Sequence, residues 1–125
     1  MRLLLDTHVL LWWLANDPNL GRDARAGISD PHSAVYVSAA TVWEISIKRA
    51  LGKLEAPSDL LRQIGLSRFE SLSMKASHAH TAGALPRHHD DPFDRMLVAQ
   101  AMIEDLTLLT RDPRMGLYGV GVLTV

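Results

Sequence analysis

The chain has 125 residues and a mass of 13.8 kDa, enough for one hydrophobic core and one domain, 1–125. Apolar residues make up 47% and charged residues 22%, with 13 Lys and Arg against 14 Asp and Glu, so a strongly basic nucleic-acid coat protein is excluded. The absence of cysteine removes disulfide scaffolds, thiolate zinc sites and cysteine nucleophiles together, and suits a cytoplasmic setting.

Arg2 and the apolar run Leu3-Leu4-Leu5 predict a buried parallel strand. Asp6 and Thr7 end it and cap a helix from about His8 to Ala15, which stops before Asn16-Asp17-Pro18. Asp6 and His8 interrupt the apolar opening. The charge-free run from Thr7 to Asn16 falls far short of the ~20 apolar residues of a membrane span, so neither a signal peptide nor a membrane segment is expected there. A second helix fits Gly21 to Ser29, and Ala34 to Ser38 reads as the second strand. A helix opened by Ser38 or Ala39 runs through Val42, Trp43, Ile45 and Ile47 toward Leu51, with Gly52 as its stop.

Pro57-Ser58-Asp59 starts a helix that Gly65 is expected to end, and Phe69 to Leu72 is a weak strand. Ser73 is the expected cap of a helix through His78 and Ala82, closed by Gly83. Asp91-Pro92-Phe93-Asp94 combines an N-cap, a proline at the first helical position and an acid at the third, ahead of an apolar helix. Leu106 to Thr110 is β-rich, Asp112-Pro113 opens a short helical turn stopped by Gly116, and Val120 to Val125 is a terminal strand. Strands alternating with helices predict an α/β fold, a parallel sheet covered by helices on both faces.

Such a sheet gathers ligands beyond the carboxyl ends of its strands. Asp6 directly follows the first strand, and Asp112 follows the Leu108-Leu109-Thr110 strand by two residues. Asp94 lies in the first turn of one helix and Glu44 one to two turns into another. Singly, each acid has a plain structural reading. Asp6 and Asp112 can be caps, Asp94 a partner of the helix dipole, and Glu44 the first member of an i,i+4 pair with Lys48. Together they form an oxygen-rich set that would repel itself unless a hard divalent cation, Mg2+ or Mn2+, sits among them.

Four segments, in this order, carry a resemblance to a known family. They are Leu3 to His8, Thr41-Val42-Trp43-Glu44-Ile45-Ser46-Ile47-Lys48, Asp91 to Leu97 continued by Val98-Ala99-Gln100-Ala101, and Leu108-Leu109-Thr110-Arg111-Asp112. The chain resembles PIN-domain ribonucleases of the VapC toxin type. The resemblance implies a PIN-like parallel sheet, cleavage of RNA, and Mg2+, with Mn2+ as a substitute. It also implies a cognate antitoxin partner and a homodimer. Carried over residue by residue, it matches Asp6, Glu44, Asp94 and Asp112 to the catalytic acids, with Asp6, Asp94 and Asp112 as metal ligands and Glu44 orienting a water or completing the coordination. Thr110 matches a hydroxyl position beside the site and is expected to contact the substrate. Asp91 also precedes this helix; the match favours Asp94 as the acid and leaves Asp91 as the N-cap.

RNA binding needs positive charge near these acids. Lys48, Arg95 and Arg111 lie within the motifs and are expected to meet phosphates, whereas Arg49 and Arg114 read as solvated helix-face charges. Of Trp12 and Trp13, one is expected in the core and the other in a groove for a partner helix. His88-His89-Asp90-Asp91 reads as a loop rather than a metal site, since no other histidine has ligand spacing to it. Two other classes are weighed. A receiver-like module would need paired acids at the first strand and a lysine after a late one, where this chain has Arg111; a phosphatase would need an Asp-x-Asp pair that Asp6-Thr7-His8 lacks. A non-catalytic PIN-like binding module would not need all four acids.

Overall fold

A computed structural model describes residues 1–125. The first strand, β1 (Arg2–Leu5), is followed by α1 (Thr7–Leu14), α2 (Arg22–Ser29), β2 (Ala34–Ser38), α3 (Ala39–Ala50) and α4 (Leu60–Leu66). Then come β3 (Glu70–Leu72), α5 (Ala76–Ala84), α6 (Pro92–Glu104), β4 (Thr107–Thr110), a 3-10 turn (Pro113–Tyr118) and β5 (Val122–Thr124). The strands form one five-stranded sheet in the order β3-β2-β1-β4-β5, and every pairing is parallel.

The central position of β1 explains its unbroken leucine run. Side chains alternate across a strand, so a strand covered on both faces has no place for a polar residue. Leu3 and Leu5 enter one core with Val35, Val37 and Leu109, where α1 to α4 contribute Val9, Leu10, Ile28, Ile45, Leu60 and Ile64. Leu4 enters the other core with Leu108, against Leu97, Val98 and Ala101 of α6 and Met115 of the 3-10 turn. Helix α5 packs on α6 from outside. Helices therefore cover both faces, as the strand–helix alternation predicts.

The differences from expectation lie at element ends. Helix α4 runs past Gly65 to Leu66, α5 past Gly83 to Ala84, and the 3-10 turn past Gly116 to Tyr118. None of these glycines has a positive φ, so none supplies a left-handed stop; Gly119, with φ 80°, does end the turn. Helix α5 begins after Lys75 rather than at Ser73. The Lys75 backbone N–H donates to Nδ1 of His78 at 3.0 Å, a bond a sequence-level search for Ser, Thr, Asp or Asn caps passes over.

Trp12 lines the cavity that also holds Asp6 and Arg111, and Trp13 lines a separate one with Ile28, Val35 and Phe69. Both side chains are half-buried against the first core. Trp13 packs on Phe69 with ring centroids 5.8 Å apart and donates through Nε1 to Ser67 Oγ at 3.2 Å. The exposed tryptophan is Trp43, 56% accessible and edge-on to Phe93. No helix is long and apolar enough to cross a membrane.

Candidate metal centre

The strand order places β2 and β3 on one side of β1 and β4 and β5 on the other. The chain therefore reverses direction across the sheet between β1 and β4, the crevice where open α/β sheets bind ligands. A cavity of about 500 Å3 opens there, and Asp6, Glu44, Asp94 and Asp112 all line it. The four acids lie on different elements and meet only through the fold. Asp91, Lys48, Arg111, Arg114, His8 and His89 also line the cavity, so five carboxylates face three permanent cations.

Asp6 leaves the carboxyl end of β1, where its own backbone N–H continues the ladder to the Leu109 carbonyl at 3.1 Å. Its Oδ1 caps α1 by accepting from the Val9 N–H at 2.8 Å, and its Oδ2 accepts a short hydrogen bond from the Thr110 hydroxyl. The same Thr110 oxygen accepts from the Asp112 N–H at 3.0 Å, so one side chain ties the ends of β1 and β4 together. Thr110 is fully buried and does not line the cavity, so it braces the acids and has no surface to offer a substrate.

Glu44 is 5% exposed. Its Oε1 accepts from the Thr7 hydroxyl and its Oε2 pairs with Lys48 Nζ, each at 2.5 Å. The i,i+4 pair with Lys48 thus forms at the rim of a buried cavity rather than on a solvated face. The Glu44 carboxylate holds the Lys48 ammonium above its ordinary pKa, against partial burial that pulls the other way.

Asp91 and Asp94 separate as the motif suggests. Oδ1 of Asp91 accepts from the Phe93 and Asp94 N–H groups at 2.8 and 3.2 Å, which is an N-cap on α6 with Pro92 at the first position. Asp94, one turn in, projects into the cavity. Burial, followed by the charges of Asp91, Asp6, Glu44 and Asp112, pushes its pKa up to about 7. Burial also raises Asp6. Asp112 behaves oppositely. Arg114 grips it at both oxygens, through Nε to Oδ1 at 3.0 Å and Nη2 to Oδ2 at 2.7 Å, and holds its pKa down at about 2.

Two cations are not where the sequence suggests. Arg114, expected as a solvated charge, keeps an exposed side chain but is that partner of Asp112. Arg95, expected on phosphates, is committed to the backbone: Nη1 donates to the carbonyls of Pro86 and His89, and Nη2 to those of Ala82 and Leu85, at 2.9 to 3.2 Å. It clamps the loop before α6 and does not line the cavity. Arg111 does line it, with its guanidinium 4.5 Å from the Trp12 ring centroid. Lys48 and Arg111 are the two expected phosphate-binding cations at the cavity.

His89 corrects the reading of its segment. It does belong to a loop, but it is buried, and its Nε2 lies 2.9 Å from Asp94 Oδ2 and 3.0 Å from Asp112 Oδ2. A search for a second histidine at ligand spacing misses it because its partners are carboxylates. The signal that was available is the polar run His88-His89-Asp90 between two prolines, just ahead of a capped helix.

The donor set fits a hard divalent cation. Carboxylate oxygens of Asp94 and Asp112 lie within 4.8 Å of each other, and Asp6 and Glu44 line the same cavity. The raised pKa values of Asp6 and Asp94 are the cost of placing carboxylates together in a buried cleft, and a cation there offsets it.

Fold and site together define a small parallel α/β domain with an acidic centre at its topological switch point. Residues 3–120 match the PIN domain family, and the chain belongs to it. Among characterised relatives it is similar to Ribonuclease VapC22 of Mycobacterium tuberculosis, 29% identical over 117 residues that cover 90% of this chain and 88% of the relative. It is also similar to Ribonuclease VapC16 of that organism, 37% identical over 76 residues, 52% of this chain; that match spans about half of the relative's length, 50%. Two solved structures share the fold. A VapBC2 complex from Rickettsia felis bound to a promoter DNA fragment contains a chain with TM-score 0.73 and 16% identity, covering 99% of this chain and 98% of that one. A toxin–antitoxin complex from Klebsiella pneumoniae contains one with TM-score 0.65 and 22% identity, covering 97% and 95%.

Proposed function

We propose that this protein is a Mg2+-dependent endoribonuclease, with Mn2+ able to substitute, acting as the toxin of a toxin–antitoxin pair. The observation that carries the reading is the convergence of Asp6, Glu44, Asp94 and Asp112 on one cavity at the carboxyl ends of β1 and β4. Asp6, Asp94 and Asp112 would hold the cation. Once bound, it would supply Lewis acidity at a phosphate oxygen and a lowered pKa for the attacking water.

The chain's own groups supply orientation and charge. Thr110 holds the Asp6 carboxylate in one rotamer while Val9 takes its other oxygen. Glu44, fixed between Thr7 and Lys48, is aimed at the same space and can accept a proton from water there. Lys48 and Arg111 would place the phosphodiester backbone without reading its sequence. RNA as substrate is supported by the ribonuclease names of the similar proteins, and an antitoxin partner by the VapBC and toxin–antitoxin complexes among the similar structures. A homodimer is part of the same reading.

The test is cleavage of a labelled single-stranded RNA by the purified chain. Activity should vanish in EDTA, return with Mg2+ or Mn2+, and be absent in Asp6→Asn. Full cleavage in chelator by both proteins overturns the reading.

A further inference from the structure

Neither the fold nor the proposed chemistry accounts for the burial of His89. Three anchors hold its main chain and ring. Its backbone N–H donates to the Tyr118 hydroxyl at 2.9 Å, its carbonyl accepts from Arg95 Nη1 at 3.2 Å, and its Nδ1 accepts from the Asp91 backbone N–H at 3.1 Å. That last bond determines the tautomer. A ring nitrogen that accepts an N–H carries no proton, so the ring proton sits on Nε2. Nε2 is the atom that lies between Asp94 Oδ2 and Asp112 Oδ2.

This polarity is the reverse of a metal-ligating histidine, which presents a bare nitrogen to the ion and donates its other N–H outward. Here the outward nitrogen is the acceptor, and the N–H points at the carboxylates. We propose that His89 is a positioning residue of the metal centre and not a ligand: its Nε2–H donates to Asp112 Oδ2 while Asp94 Oδ2 packs 2.9 Å from the same nitrogen, and the ring thereby sets the spacing of these two acids. The inference rests on the proposal that these acids hold a divalent cation. It also gives Arg95 and Tyr118 a role, since both anchor the backbone that presents the ring.

The experiment is Mn2+ titration of the full chain, without RNA, followed by electron paramagnetic resonance. Wild type is compared with His89→Ala and His89→Gln, with circular dichroism as the check on folding. His89→Ala should bind Mn2+ about 10–100-fold more weakly, the usual loss when a group that orients metal ligands is removed. His89→Gln keeps an N–H donor near the same place and should recover most of the affinity. Pulsed spectroscopy of Mn2+-loaded wild type should show no directly bound nitrogen. If His89→Ala does not fold, the glutamine variant and the nitrogen measurement carry the test. A coordinated nitrogen, wild-type affinity in His89→Ala, or no recovery in a folded His89→Gln overturns the inference while leaving the metal site standing. Failure of wild type itself to bind Mn2+ overturns the site reading and this inference with it.

Discussion

Asp94 and Asp112 lie on either side of one imidazole, yet their surroundings drive them in opposite directions. Asp94, at the start of α6, is partly desolvated among four other carboxylates and has no guanidinium partner, so its pKa rises to about 7. Asp112, just after β4, is gripped by Arg114, so its pKa falls to about 2. The fold thus places two chemically identical groups 18 residues apart (112 minus 94) in opposite electrostatic settings. The Asp94 side of the cavity carries the unfavourable charge density that a cation relieves, and the Asp112 side already has a cation of its own.

The largest expected effect comes from removing the strained member. Asp94→Asn should abolish RNA cleavage, a loss worth several kcal/mol of transition-state stabilisation if the site is metal-dependent. The same change relieves repulsion, so the metal-free variant should melt no lower than wild type. A cleavage assay and a thermal melt in EDTA check the two halves. A variant that cleaves normally, or a large drop in melting temperature, breaks the contrast between the two acids.

The pH dependence follows from the same asymmetry. The folded Asp94 keeps its proton to about pH 7, while an unfolded aspartate loses it near 3.8. Metal-free stability should therefore fall as pH rises from about 4 to 7, by at most ~4 kcal/mol, and level off above. Asp112 has the opposite sign: its contribution is present above the unfolded value of 3.8 and is lost as pH falls toward 2. Melts in EDTA across this range should show the Asp94 slope in wild type and lose it in Asp94→Asn. A slope that persists in the variant assigns it to another group.

Smaller effects separate the two arginines. Arg95→Ala should destabilise the fold by about 1–3 kcal/mol, because the carbonyls it serves lose a charged donor. Arg111→Ala should leave stability within about 0.5 kcal/mol, since Arg111 is exposed. Its effect should fall on RNA affinity and on the salt dependence of binding. Urea denaturation and RNA binding at two salt concentrations distinguish them. The smallest effect is at Asp91. Asn caps a helix as well as Asp, so Asp91→Asn should cost less than about 1 kcal/mol and leave cleavage largely intact. If Asp91→Asn is inactive and Asp94→Asn is not, the acids have been assigned the wrong way round.

Strand β1, the Asp91 cap and the Pro92 start of α6 were legible in the sequence because each follows from local rules. An apolar run, a capping carboxylate and a proline at the first position need no partner far along the chain. Asp6 and Asp112 were legible as neighbours because a parallel sheet sends strand ends to one edge, whereas Glu44 and Asp94, on helices, were joined to them by the family resemblance. Arg95 and Arg114 were misjudged because a guanidinium within a motif looks the same whether it meets phosphate, a carboxylate or its own loop. His89 was passed over because its partners are acids on α6 and after β4, brought together by tertiary structure alone. Glycine proved a poor guide to helix ends wherever its φ stayed negative, as at Gly65 and Gly83.

The most direct test of the central claim, that these acids form a cation site at the switch point, is calorimetry of Mg2+ binding to the metal-free chain. Titrations at pH 6.5 in two buffers of different ionisation enthalpy report the protons exchanged. The account predicts binding with proton release in wild type, because Asp94 must ionise to accept the cation, and neither strong binding nor proton release in Asp94→Asn. Binding of equal strength in both proteins, or no binding in wild type, would contradict it.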